Sequence, residues 1–113
     1  MNFSTDQIRN VTFVTSHVEK LDASNAPELK SHFFLLNNSG INNIVLDLSK
    51  SKYCDSSGLS AILTGNRLCK DTNGKFVICG LQANVQKMIE IAQLDRVFKI
   101  CDTVEEAQAA IEF

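Results

Sequence analysis

No stretch of this chain approaches the run of about 18 apolar residues that a membrane-spanning helix needs. The N-terminus, Met-Asn-Phe-Ser-Thr-Asp-Gln, has neither the basic nor the apolar part of a secretory signal, so a cytoplasmic location is expected. Charge of neither sign dominates: 11 basic side chains face 13 acidic ones, for a net charge of −2. A direct nucleic-acid binder would carry a basic excess. None of the four cysteines forms a Cys-x-x-Cys pair, and no histidine stands near them at zinc-finger spacing. Cys54, Cys69, Cys79 and Cys101 are therefore read as structural thiols, with Cys54 singled out by its neighbours; no metal is expected. The phosphate-binding pattern Gly-x-x-x-x-Gly-Lys-[Ser/Thr] is missing too. There is one proline, no tryptophan, no internal repeat and no low-complexity linker, so residues 1–113 are expected to form a single domain.

What is present is an ordinary globular balance, 44% hydrophobic and 21% charged. A chain of this length can bury roughly two thirds of its unfolded surface. Residues 8–14 and 18–21 are rich in β-branched side chains and predict one or two strands, with a hairpin as one arrangement. Ser24 or Asn25 can cap a following helix, with Pro27 in its first turn and Glu28 at its positive end. Leu29, Phe33 and Leu36 continue that helix to about Asn37, and Asn38-Ser-Gly40 stops it. Residues 44–48 predict a buried central strand. Leu59, Ile62, Leu63 and Cys69 mark a second helix that ends at Thr72-Asn-Gly74. Residues 75–79 predict a strand, and Val85, Met88, Ile89 and Ala92 a third helix. Residues 97–100 predict a short strand. Thr103-Val-Glu-Glu106 reads as a capping box opening a last helix on Val104, Ala107 and Ile111. This alternation predicts an α/β sandwich with parallel strand pairs.

The unusual stretch is Tyr53-Cys-Asp-Ser-Ser-Gly-Leu59, at a strand-to-helix turn where α/β folds place their sites. Ser56 and Ser57 can cap the helix, but Asp55 can do the same, and three capping residues exceed what one helix needs. Cys54-Asp-Ser-Ser-Gly58 also resembles a nucleophile elbow without its first glycine. A serine nucleophile needs a base, however, and the two histidines, His17 and His32, both precede it, whereas hydrolases with that elbow place the histidine after. A third possibility is a regulatory phosphosite, since a helix N-terminus favours an anion. Asp22 and Asp55 would repel the added phosphate, so it would alter a surface without stabilising the fold.

Three stretches carry a family resemblance over about residues 8–112: Lys20-Leu-Asp-Ala-Ser-Asn-Ala-Pro-Glu-Leu; Ile44-Val-Leu-Asp-Leu-Ser with Tyr53-Cys-Asp-Ser-Ser-Gly-Leu; and Gln93-Leu-Asp-Arg-Val-Phe-Lys-Ile with the Glu-Glu-Ala helix. In that order and spacing they resemble the STAS domain of bacterial anti-sigma factor antagonists. The resemblance implies a STAS-like sandwich, with a mixed sheet of four to five strands and about four helices. It implies a binding protein and not an enzyme, with no cofactor. Its partners would be an anti-sigma factor that is also a serine kinase, which phosphorylates Ser56 using ATP, and a PP2C-type phosphatase that reverses this. Asp22, Asp55, Ser57, Gly58 and Leu59 would form the partner-binding surface. Two positions depart from the family: Glu19-Lys20 stands where Gly-Glu is common, and Cys54 where a larger apolar residue is common. The alternative within the same family is a scaffold subunit of a membrane transport complex, never phosphorylated.

Overall fold

The computed structural model describes residues 1–112. The chain opens with strands β1, Phe3–Ile8, and β2, Val11–Ser16, paired antiparallel through a two-residue connection in which Arg9 takes φ 58°. The two-residue strand β3, Lys20–Leu21, and helix α1, Ala26–Asn38, follow. Strand β4, Asn43–Asp47, leads through β5, Tyr53–Cys54, into helix α2, Ser56–Asp71. Strand β6, Lys75–Cys79, helix α3, Ala83–Ile91, strand β7, Lys99–Cys101, and helix α4, Val104–Glu112, complete the described chain.

The main sheet has the order β1-β2-β4-β6-β7. Strands β2, β4, β6 and β7 run parallel, and β1 lies antiparallel at the edge. The mixed five-stranded sheet with four helices is the expected architecture. The strand predicted over 8–14 corresponds to β2, but its hairpin partner β1 lies upstream of it, with residues 9 and 10 in the turn. The segment 18–21 does not join it: β3 pairs in parallel with β5, forming a separate two-stranded sheet.

Period-two alternation divides the core. Ile44, Leu46, Phe76 and Ile78 face the layer built by α1, α2 and α3, while Val45, Val77 and Cys79 face Ala107 and Ile111 of α4. Burying side chains such as Phe33 and Leu46 contributes roughly 1.5–3 kcal/mol each. Phe33 of α1 meets Phe76 of β6 edge-on, with centroids 5.6 Å apart. Both rings crowd Gly65 of α2, where a Cβ would come within 2.8 Å of Phe33 and 2.7 Å of Phe76. Only glycine lets the second helix settle that close to the sheet.

The predicted capping box forms with one difference. Thr103 Oγ1 accepts from Glu106 N at 3.1 Å, but Glu106 Oε2 accepts from the Asp102 amide at 3.3 Å, one residue earlier than expected. Asn25 occupies the cap position of α1 without capping it. Its Oδ1 accepts from Asp22 N (3.0 Å) and its Nδ2 donates to Lys20 O (2.9 Å), so the side chain closes the end of β3 instead. Among the described residues, no helix is long and apolar enough to cross a membrane.

Candidate functional site

The site begins with the short ladder between β3 and β5, which sets Lys20 opposite Tyr53 and Leu21 opposite Cys54. The amides of Lys52 and Tyr53 donate to Glu19 O at 2.8 and 3.1 Å, and Asp55 N donates to Leu21 O at 3.1 Å. Asp22 and Asp55, each the first residue after its strand, thus emerge side by side at the same sheet end. A buried clasp supports the loop from below. Ser51 Oγ donates to Val18 O at 2.7 Å, which leaves the Ser16 hydroxyl as donor to Ser51 Oγ across 2.8 Å. Ser16 and Ser51 are both buried. A bond of this kind contributes about 1 kcal/mol, and leaving one partner unsatisfied costs more.

Asp55 is the cap of α2. It is extended (φ −98°, ψ −173°), and its Oδ1 accepts from Gly58 N at 3.0 Å. Ser56 and Ser57 are therefore the first two residues of the helix and not its cap. Ser56 is exposed, and among the described residues its hydroxyl makes no hydrogen bond; Ser57 is half-buried. Gly58 and Leu59, expected on the partner surface, are both buried. Leu59 points into the core because helical periodicity places it on the inward stripe with Ile62. Gly58 lies against the loop's own backbone: a Cβ there would come within 2.6 Å of Leu21 O and of Cys54 Sγ. These two residues hold the loop in place, and the accessible surface is left to Asp22, Asp55, Ser56 and Ser57.

The half-buried Asp22 accepts from Ser24 twice, from its amide at 3.0 Å and its hydroxyl at 2.6 Å. Chiefly the Ser24 hydroxyl, then its amide, hold the Asp22 carboxyl below the usual carboxylate range; the Lys20 charge adds to this and desolvation opposes it. Cys54 is 7% exposed, and burial, helped by the Asp55 charge, pushes its thiol up to about 12. It stays protonated at neutral pH, which suits a packing role.

Two hollows flank the loop. One, of about 270 Å³, is lined by Lys20, Leu21, Asp22, Tyr53, Cys54 and Asp55. There the Lys20 ammonium lies 5.9 Å from the Tyr53 ring centroid, and the ring is 46% exposed. The other, of about 370 Å³, opens between the N-terminal turns of α1 and α2, with Lys30, Ser56, Ser57 and Ser60 on its wall. Neither histidine serves a loop serine. His17 bonds Ser4 Oγ at 2.7 Å and lies 3.3 Å from Lys50 Nζ, while His32 faces Glu28 at 3.8 Å and Phe3 edge-on. An acyl-transfer triad is thus not assembled around Ser56. The sequence reading missed the Ser16–Ser51 clasp, the Lys20–Tyr53 pair and Lys30. Each depends on segments distant along the chain: Ser16 ends a strand and Ser51 sits in a polar loop until the fold brings them together.

The family model for the STAS domain matches residues 2–107. A Bordetella bronchiseptica protein assigned as the anti-sigma factor antagonist BtrV is 27% identical over 92 residues, covering 81% of this chain and 79% of its own. The crystal structure of a Thermotoga maritima protein assigned as an anti-sigma factor antagonist superimposes with a TM-score of 0.88 at 28% identity, covering 98% and 95% of the two chains. The Bacillus cell fate determinant SpoIIAA in its phosphorylated form shares the fold, with a TM-score of 0.75 at 17% identity over 96% of this chain and 98% of that one.

Proposed function

Since the chain belongs to the STAS domain family, we propose that it is an anti-sigma factor antagonist switched by phosphorylation of Ser56. Unphosphorylated, it binds an anti-sigma factor serine kinase and so frees the sigma factor. The kinase transfers the γ-phosphoryl group of ATP to Ser56 Oγ: the new O–P bond forms, the bond to the β-phosphate breaks, ADP leaves, and the hydroxyl proton passes to a base of the kinase. A PP2C-type phosphatase returns the serine by hydrolysis. The domain is substrate and ligand in this cycle, acting in the cytoplasm, and performs no catalysis itself.

The observation that carries this reading is the division of labour between Asp55 and Ser56. Asp55 caps the helix, and the Ser56 hydroxyl is left exposed and without a structural partner. The functions in the names of its relatives, and the existence of a phosphorylated form of a protein with this fold, favour the same conclusion. A phosphate adds about −1.5 to −2 charges at neutral pH, enough to reverse the character of a small interface. Asp22, Asp55 and Ser57 form the rim that a partner would meet. The test is an intact mass of the protein purified from its own cells, before and after phosphatase treatment, repeated for Ser56→Ala. A phosphate mass that disappears with phosphatase and is absent from the variant is the expected result. A phosphate retained by Ser56→Ala moves the site to another residue, and a protein that is never modified fits the constant scaffold of a membrane transport complex.

A further inference from the structure

We propose that the phosphate on Ser56 is seated in the hollow between α1 and α2, with Lys30 as its counter-charge, and not over the acidic pair Asp22 and Asp55. The inference rests on the phosphoswitch reading above and specifies where the added group lies. Ser56 lines the hollow between α1 and α2, while its neighbour Asp55 lines the other, which carries two acids and one lysine. On one side are Asp22 and Asp55, whose carboxylates accept from Ser24 and from Gly58 N and outnumber the single ammonium of that hollow, Lys20, which lies over the Tyr53 ring. On the other, the hollow of about 370 Å³ is lined by Ala23, Ala26, Pro27 and Lys30 of the α1 segment and by Ser56, Ser57 and Ser60 of α2, with no acid among them.

Lys30 is half-buried and, among the described residues, enters no ion pair. Ser57 and Ser60 add hydroxyl donors on the same wall as Ser56. Both helices begin at this end of the molecule, so their dipoles add to the positive potential there. The space is ample for a phosphate, and Ser56 itself lines it. Coulomb energy decides the direction: two carboxylates against one ammonium, Lys20, leave a net repulsion for the dianion on one side, while Lys30 attracts it unopposed on the other. Phosphorylation would then change the hollow from open and cationic to filled and anionic. The repulsion from Asp22 and Asp55 expected from the sequence is avoided by facing away from them.

The test uses full-length protein carrying phosphoserine at position 56, installed during translation, so that no kinase is needed. Phosphorus NMR follows the second ionisation of the phosphate, ordinarily near pH 6, against pH. Lys30→Gln should raise that midpoint by about half a pH unit, the size expected of a solvent-accessible ion pair. Lys30→Arg should restore it, and Asp22→Asn should move it less than Lys30→Gln does. A midpoint unmoved by Lys30→Gln, or moved more by Asp22→Asn, overturns the proposal. The mass experiment on Ser56→Ala tests the phosphosite itself and can fail independently of this result.

Discussion

Ser51 illustrates how a single hydroxyl can hold a functional loop. It joins Ser16 of β2 to Val18 O on the way into β3, and it does so fully buried. Ser51→Ala removes one partner and leaves a half-buried carbonyl and a buried hydroxyl without it, so a loss of about 1–3 kcal/mol is expected in a urea unfolding curve. An unchanged midpoint would mean that water replaces the clasp at no cost. Asp22 makes a different prediction. Its folded pKa is lowered, so its stabilising contribution is complete above the ordinary carboxylate value and is lost as pH falls through the lowered one. The melting temperatures of wild type and Asp22→Asn should therefore converge on acidification from neutral pH towards pH 3, and a constant gap would show that the Ser24 bonds do not depend on the charge. The roles of these two residues were unequally legible in the sequence. Asp22 stands directly after a strand and beside a turn, where acids are read as site residues. Ser51 is an ordinary loop serine until the fold brings residue 16 against it.

At the scale of elements, α2 separates capping from function. Asp55→Ala removes the bond to Gly58 N and should cost about 1 kcal/mol, whereas Ser56→Ala should leave the denaturation midpoint nearly unchanged. If Ser56→Ala proves as costly as Asp55→Ala, the serine shares the cap and the division of labour fails. The sequence could not choose among Asp55, Ser56 and Ser57, because all three are good caps and the start of a helix shifts easily by one residue. Strands β4 and β6 were readable from compact apolar runs whose alternate residues serve two cores. Strand β1 was not: after Phe3 it presents Ser4, Thr5, Asp6 and Gln7, polar residues suited to an exposed edge and silent in any hydrophobic pattern. Strands β3 and β5 are two residues each, too short to show a period, and exist only through their mutual pairing across some thirty residues of chain.

The whole molecule packs its main sheet between unequal layers, three helices on one face and α4 on the other, and its thiols are distributed through both. Cys54 and Cys69 lie in the larger core and Cys79 in the smaller; Cys101 is partly exposed on the neighbouring strand. Burial first, then nearby negative charge where present, pushes the thiols of Cys54, Cys69 and Cys79 up to about 12. In the folded protein they keep protons that an unfolded chain releases near 9. Their contribution to stability is thus intact below that value and is lost as pH rises from it towards 12. A thiol-specific aromatic disulfide at about pH 8 should label Cys101 first, and the other three only along the global unfolding transition. Equal labelling rates for all four in the native protein would show that the core opens locally.

The small β3–β5 ladder also has a consequence in time. It fastens the loop before Ser56 to the strand before Asp22, with the Ser51 clasp beneath. On the proposed reading, the chemical mark is therefore written on a platform already standing. The output of a relay built this way would follow the momentary balance of the enzyme that writes and the enzyme that erases, with the platform itself the same in either state.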